Sequence, residues 1–379
     1  MNRGIIWAVI LAVSVLGGMP KEKVKEEKDI SIVMVGDILL HVPVEESARD
    51  KDGNYNFDAI FANVKDEISG ADIAIVNQEV IIGGEELGIS GYPAFNAPYE
   101  VGDALVNAGF DVICHGTNHA LDKGKKGIVN ACNYWKEKHP DIAVVGINAD
   151  EDEYRNVAII EKKGIRIAVL NYTYGTNGIS MPKDMPHAVD MLEKDKVIAD
   201  LKYAEENADF TIVCPHWGTE YNLGTDNSQQ NWTKVFREYG ADLVIGTHPH
   251  VIEPVELLSD ENISITNNRG NGDMLVYYSL GNFVSWTNCT GSGVSNRSVG
   301  GMAKVVLNAG NKSDVSVKKY TVMAVVDHVT SAHNGVTVYP LKNYTTDLEK
   351  ANEIRLQDPA FSAGYCRDLC NKVWGGHWE

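Results

Sequence analysis

From Asp29 onward, short apolar runs alternate with amphipathic stretches. The apolar runs, bounded by turn residues, predict buried strands over residues 30–35 (ISIVMV), 72–76, 111–114, 142–145, 157–161, 165–171, 210–214, 242–245, 251–258 and 274–279. Helical spacing of apolar positions predicts helices over 55–68 (Phe57, Ile60, Phe61, Val64, Ile68), 101–108, 121–138, 191–207 and 229–239. Beyond residue 300 the pattern changes: 302–307 and 315–326 read as strands with little helix between them, and 347–356 reads as helix again. Alternation of strand and helix implies a mainly parallel sheet with helices outside. The later β-rich part predicts a second sheet packed on the first. Residues 29–345 read as one domain, followed by a helical tail over 346–379.

The first residues follow another pattern. Arg3 supplies a positive end, 5–16 (IIWAVILAVSVL) is an uncharged apolar run, and a charged stretch, KEKVKEEKD, follows. That run is short for a spanning helix and typical of an export signal, so 1–28 is expected to be a signal peptide or membrane anchor with a charged linker. The protein is accordingly expected to be exported, either extracellular or anchored at the cell surface.

Composition narrows the function classes. Acidic residues outnumber basic ones 52 to 34, for a net charge of −18. Nucleic-acid binders need a basic footprint, which argues against nucleic acid as a partner. An anionic substrate would need a local cationic site, such as a metal. The six cysteines form no CxxC pattern; Cys114 and Cys214 end apolar runs and read as buried thiols, and no disulfide is predicted.

Candidate chemistry sits where the strands should end. Five apolar runs lead into polar residues able to bind a metal: Gly36-Asp37, then Asn77-Gln78-Glu79, His115-Gly116-Thr117-Asn118-His119, His216-Trp217-Gly218-Thr219-Glu220, and Gly246-Thr247-His248-Pro249-His250. In an open parallel sheet, ligands bind outside the carboxyl ends of the strands. Six of the eleven histidines (His41, His115, His119, His216, His248, His250) lie in or just after these turns. Mixed oxygen and nitrogen donors suit a divalent cation such as Mn²⁺, Fe²⁺ or Zn²⁺, and there are donors enough for one ion or two. A two-metal site activates water and clamps both attacking and leaving oxygens. His248 and His250, one residue apart, are expected on the same side of an extended segment. Taken singly, each element has a structural alternative: Asn118 or Asp122 could cap a helix, and Trp217, Tyr221 and Trp286 could be ordinary packing or a cleft wall. The turn Ser279-Leu280-Gly281-Asn282-Phe283 could end a strand or contact substrate at the same rim.

In this order the stretches VGDILL, VNQE, HGTNHALDKGKKGI, CPHWGTEYN, GADLVIGTHPHVIEPVE and YYSLGNF resemble the poly-γ-glutamate capsule synthesis proteins of the CapA type, a branch of the calcineurin-like metallophosphoesterase superfamily. The resemblance implies a four-layer α/β/β/α sandwich with a two-metal site on the strand-end rim. It implies metal ligation by Asp37, Glu79 (where a bridging Asp is usual), Asn118, His216, His248 and His250, with His119 as the catalytic histidine that protonates a leaving oxygen. His41, Asp122, Glu220 and Asn282 are expected around them, on substrate or behind the ligands. The usual D-x-H reads Asp37-Ile38-Leu39 here, with His41 two residues further on. The implied function is capsule synthesis or export on an anionic polymer such as poly-γ-glutamate, by a metal-dependent hydrolase or acyl- or phosphoryl-transfer enzyme. The alternatives are a non-catalytic, metal-stabilised subunit of a membrane polymer-synthesis complex, or a phosphoesterase with another substrate.

Overall fold

A computed structural model describes residues 29–259, 272–287, 289–310 and 315–379. The expectation of a signal or anchor over 1–28 lies outside the described residues. No described helix is long and apolar enough to cross a membrane.

In chain order the strands are β1 (Asp29–Leu39), β2 (Ile73–Gln78), β3 (Val112–Cys114), β4 (Ala143–Val145), β5 (Ala158–Lys162), β6 (Ile165–Thr173), β7 (Phe210–His216), β8 (Leu243–Ile245), β9 (Val255–Leu258), β10 (Met274–Tyr277), β11 (Asn282–Ser285), β12 (Val299–Asn308), β13 (Ser316–Val329) and β14 (Val336–Pro340). They form two sheets. The first runs β14-β13-β12-β1-β2-β3-β4, with β11 paired to the end of β1; the second runs β5-β6-β7-β8-β10-β9. The chain segments are parallel from β1 to β4 and from β6 through β7 and β8 to β10.

Side-chain alternation explains why the sheets stack. Along β6, Ile165, Ile167 and Val169 enter the large core shared with β1 and β2, whereas Ala168, Leu170 and Tyr172 enter a second core. Strand β7 does the same, with Phe210, Ile212 and Cys214 facing the first sheet and Val213 facing away. The contact across the interface includes Cys214 Sγ, 3.7 Å from Met34 Sδ. On the outer face of the second sheet lie the helices Lys194–Asn207 and Asn227–Glu238, through Val197, Leu201, Ala204 and Phe236. Helix Glu100–Ala108 and its neighbours cover the first sheet through Val101, Ala104 and Leu105. The order is helix, sheet, sheet, helix, a four-layer α/β/β/α sandwich.

Several local expectations shift. The predicted 55–68 helix is two short ones, Asp58–Phe61 and Lys65–Ser69. The later β-rich part does not build the second sheet: β12 hydrogen-bonds antiparallel to β1, and β13 and β14 extend that same first sheet. An apolar run records that a strand is buried but not which edge it joins. The segment 346–379 contains the helices Thr346–Ala351, Ile354–Gln357 and Ala363–Trp374, and its Ile354, Phe361, Cys366, Leu369, Cys370 and Trp374 lie in the main core. The six cysteines are free thiols.

Candidate metal centre

The parallel strands of both sheets present their carboxyl ends to one rim, and the candidate residues meet at the seam between the sheets. The first sheet contributes Asp37 from within β1, Glu79 directly after β2, and Asn118 and His119 from the turn after β3. The second contributes His216, the last residue of β7, and His248 and His250 from the loop after β8. Register aligns Asp37 with Asn77 on β2 and with Asn282 on β11. This close packing requires Gly36: a Cβ there would lie 1.9 Å from the carbonyl oxygen of Gly281.

Asp37, Glu79 and His216 are fully buried, and Asn118, His248 and His250 nearly so. Asp37 accepts from Asn77 Nδ2 at 2.9 Å, from the His248 backbone N–H at 3.2 Å and from His250 Nδ1 at 3.1 Å. His250 Nδ1 is also 3.0 Å from Asn282 Oδ1. With Nδ1 held by two oxygens, Nε2 is the ring nitrogen left to donate a lone pair. That Nε2 lies 3.6 Å from Glu79 Oε1, and His216 Nε2 lies 3.7 Å from the same oxygen. One carboxylate therefore faces imidazoles on both sides. His216 Nε2 is 2.9 Å from Asn118 Oδ1, and its Nδ1 is 3.0 Å from Thr247 Oγ1. The His216 and His248 rings are 4.8 Å apart.

The donor set fits a cation. Both carboxylate oxygens of Glu79, Nδ1 of His248 and Oδ1 of Asn77 are buried without any hydrogen-bond partner. Orphaned buried polar groups are costly, and several facing one another need an explanation. Ligand atoms of Glu79, His248 and His250 lie within 4.8 Å of one another. Two donors each about 2.1 Å from a shared ion would be separated by roughly 3–4 Å. Electrostatics agrees. Burial, reinforced by the carboxylates of Asp37, Glu220 and Asp122, raises Glu79 well above the usual carboxylate range against the opposing pull of His250. Burial and the neighbouring imidazoles hold His216 and His248 well below the usual histidine value, in the neutral form a metal requires. Burial also depresses His250, but Glu79 and Asp37 outweigh it and bring it to about 9. A divalent ion would relieve the excess negative charge on Glu79 and Asp37.

His248 and His250 converge by a different backbone from the extended one expected. Their φ angles are +101° and +58°. Left-handed conformations are uncommon for residues with a Cβ, cost of order 1–3 kcal/mol, and cluster at functional sites. The turn after β8 folds back far enough for the His248 N–H to reach Asp37.

His119 stands beside this cluster. Its Nδ1 is 2.7 Å from Asp122 Oδ2, which also accepts from the Phe95 N–H at 2.7 Å. Asp122 orients the imidazole and does not cap the helix Gly124–Lys138, whose N-cap, Lys123, makes no side-chain bond. With Nδ1 engaged, Nε2 is the nitrogen that can serve the adjacent cleft, which has a volume of about 660 Å³ and is lined by His119, His250, Glu220 and Asn282 among others. His41 lines the cleft too, edge-on to Phe95 at 5.1 Å, and stands apart from the ligand cluster. Burial first, then His250, His119 and Arg297, lower it to about 4, so it is a neutral wall residue.

Tyr221 and Trp286 line the cleft, whereas Trp217 is buried in the outer core, donating to the Tyr278 carbonyl at 2.9 Å. His115 turns away from the rim: it is buried, accepts from Trp135 Nε1 at 3.2 Å, and burial lowers it to about 3. Sequence reasoning missed Asn77 as a partner of Asp37, and Asn177, whose Nδ2 lies 3.4 Å from His119 Nδ1 and whose Oδ1 accepts from Asn118 Nδ2 at 3.2 Å. Asn77 was legible as a strand-end amide beside Glu79; Asn177 had no signal.

Known proteins carry related chains. The chain is 27% identical over 279 residues to "Capsule biosynthesis protein CapA" of Bacillus anthracis, covering 70% of this chain and 62% of that protein. It is 26% identical over 285 residues to "PGA biosynthesis protein CapA" of Bacillus subtilis (strain 168), covering 71% and 67%. Among solved structures, a phosphatase from Mycoplasma pneumoniae aligns with a TM-score of 0.44 at 15% identity, covering 79% of this chain and 94% of that one. A 5′-nucleotidase precursor from Thermus thermophilus aligns with a TM-score of 0.44 at 14% identity, covering 79% and 54%. Residues 31–287, more than half of the chain and the span that carries every cluster residue named above, match the model of the bacterial capsule synthesis protein PGA_cap, and the chain belongs to that family.

Proposed function

We propose that this protein is an exported, metal-dependent hydrolase or acyl- or phosphoryl-transfer enzyme of capsule polymer synthesis, acting on an anionic chain such as poly-γ-glutamate. The observation that carries the reading is the set of orphaned, buried donors on Glu79 and His248, flanked by His216 and by His250, which reaches the cleft that His119 also lines. Glu79, His248 and His250 would hold a divalent ion, with His216 and Asn118 beside Glu79 and Asp37 behind His250 as the further donors for a second. A bound divalent cation supplies Lewis-acid chemistry, polarising a substrate oxygen and lowering the pKa of water. The chain's own residues do the rest. Asn282 and Asp37 fix the His250 ring through Nδ1; Asp122 fixes His119 so that Nε2 can pass a proton to a leaving oxygen. Burial under Phe95 keeps that imidazole from rotating, with ring centroids 4.6 Å apart. The apolar run near the N-terminus supports export, and the printed names of the two Bacillus relatives support the polymer.

The test is metal stripping followed by assays on γ-linked polyglutamate and on phosphoesters, with metal content measured in parallel. Turnover is expected to vanish with the metal and return on reloading; full turnover after complete stripping overturns the reading. His119→Ala is expected to lower kcat by roughly 10²–10⁴-fold with unchanged metal content. Unchanged capsule output from an exported His119→Ala protein would instead favour the non-catalytic subunit.

A further inference from the structure

The cleft over the metal centre holds a charge that this reading leaves unused. Arg297 is the only Lys or Arg among the described residues that line it. Its Nε is buried without a partner, and the guanidinium forms no ion pair with any described residue. Other basic groups are paired with carboxylates, among them Arg166 with Asp209, Lys304 with Glu67 and Lys163 with Asp72. What sets Arg297 apart is that this buried, unpartnered Nε belongs to a side chain lining the cleft.

The side chain is also held in place. Arg297 Cζ lies 3.8 Å from the centroid of the Tyr221 ring. Stacking on an aromatic face orients a guanidinium and leaves its N–H edge free for a planar acceptor. Asn282 Nδ2 donates to the Arg297 carbonyl at 3.0 Å, while Asn282 Oδ1 contacts His250 Nδ1. One asparagine thus links the arginine backbone to the metal centre. The C-terminal segment braces the turn Val294–Ser298 that carries Arg297. Asp358 accepts from the N–H groups of Gly293 and Ser295, each at 3.1 Å, and Tyr365 donates its hydroxyl to Asn296 at 2.5 Å. Glu220 lines the same cleft, and the guanidinium of Arg297 is the one lysine or arginine charge among the described lining residues that can offset it.

We propose that Arg297, stacked on Tyr221, is a carboxylate-binding subsite that anchors an anionic polymer beside the metal centre. A guanidinium fork matches a carboxylate in a bidentate pair. The proposal rests on the polymer reading above and adds the residue that recognises the repeating carboxylate.

The test uses full-length, metal-loaded protein as wild type, Arg297→Gln and Arg297→Lys. Each is titrated calorimetrically with γ-linked hexaglutamate, with the same oligomer carrying carboxamides in place of its free carboxylates, and with inorganic phosphate. Arg297→Gln is expected to weaken hexaglutamate binding by about tenfold or more, and Arg297→Lys by less. The amidated oligomer is expected to bind weakly to all three. Thermal melts separate lost recognition from lost folding, and Arg297→Lys carries the comparison should the Gln variant melt early. Equal hexaglutamate affinity in all three proteins overturns the subsite and leaves the polymer reading standing. Phosphate binding that depends on Arg297, without hexaglutamate binding by the wild type, overturns the polymer reading and the carboxylate assignment. Failure of the wild type to bind either anion overturns both.

Discussion

Two clefts open at the edges of the sandwich, and their polar groups are wired in opposite ways. The cleft between β4, β5 and β6, about 290 Å³, has an apolar floor that includes Trp135, Val145 and Val169 and a charged mouth. There the charges are paired within the chain. Tyr172 and Lys196 donate to Asp200 at 2.7 Å and 2.5 Å, Asn148 donates to Asp190 at 3.2 Å, and Lys136 pairs with Glu153. The cleft over the metal centre shows the reverse: Glu79 and His248 are buried with unpaired atoms, and Arg297 has no ion-pair partner among the described residues. A polar group satisfied by its own chain stabilises the fold, whereas several unsatisfied ones converging on one cleft mark a place for a ligand. Cavity size does not separate structure from chemistry here; the hydrogen-bond accounting does.

Substitutions can break this contrast. The largest effect is expected at the centre: Glu79→Ala or His248→Ala should lower divalent-metal affinity by at least ~100-fold, since even outer partners of metal ligands cost 10–100-fold. Metal analysis after dialysis checks this, and retained stoichiometry would show that the cluster is not a metal site. In the other cleft, Asp200→Ala leaves the Tyr172 hydroxyl and the Lys196 ammonium without their acceptor. It should cost roughly 2–3 kcal/mol in denaturant melts while metal content stays the same. A loss of metal in that variant would erase the distinction between the clefts.

A smaller effect concerns Asp327, behind the metal-side cleft. Its Oδ2 accepts from the Ser285 N–H at 2.8 Å, its Oδ1 has no partner, and burial raises its pKa to about 8. A carboxyl whose folded pKa lies above its unfolded value, near 3.8, binds its proton more tightly when folded. Its favourable contribution is full below about pH 4 and is lost as pH rises towards 8. Asp327→Asn should therefore flatten the decline in stability between pH 4 and 8, as melts across that range can measure. An unchanged slope would show that the carboxyl is not protonated in the fold.

Much of the rim was readable from the chain because parallel strands release their carboxyl ends on the same side. An apolar run ending in a ligand residue therefore announces both its strand and its direction. Asp37, Glu79, His216 and the His248–His250 pair were found this way, and the structure brings them together. His41 shows where the logic stops. Strand β1 ends at Leu39 and a helix starts at Val42, so residues beyond Leu39 no longer follow the strand, and His41 goes to the cleft wall. The same limit explains β12–β14: pattern reveals burial, but a hydrogen-bonding partner is chosen by edges distant in sequence.

Periodicity and residue type are local properties, and they were enough to reveal the alternating layers, the strand-end donors and the acidic surroundings. Packing across the fold makes the donors meet at the seam between two sheets, makes His248 and His250 converge through left-handed turns, and leaves Arg297 over the cleft without an ion-pair partner among the described residues. Those outcomes depend on register between β1, β2 and β11 and on a C-terminal segment some sixty residues past Arg297. No local signal encodes which distant groups will be left without partners once the chain has packed.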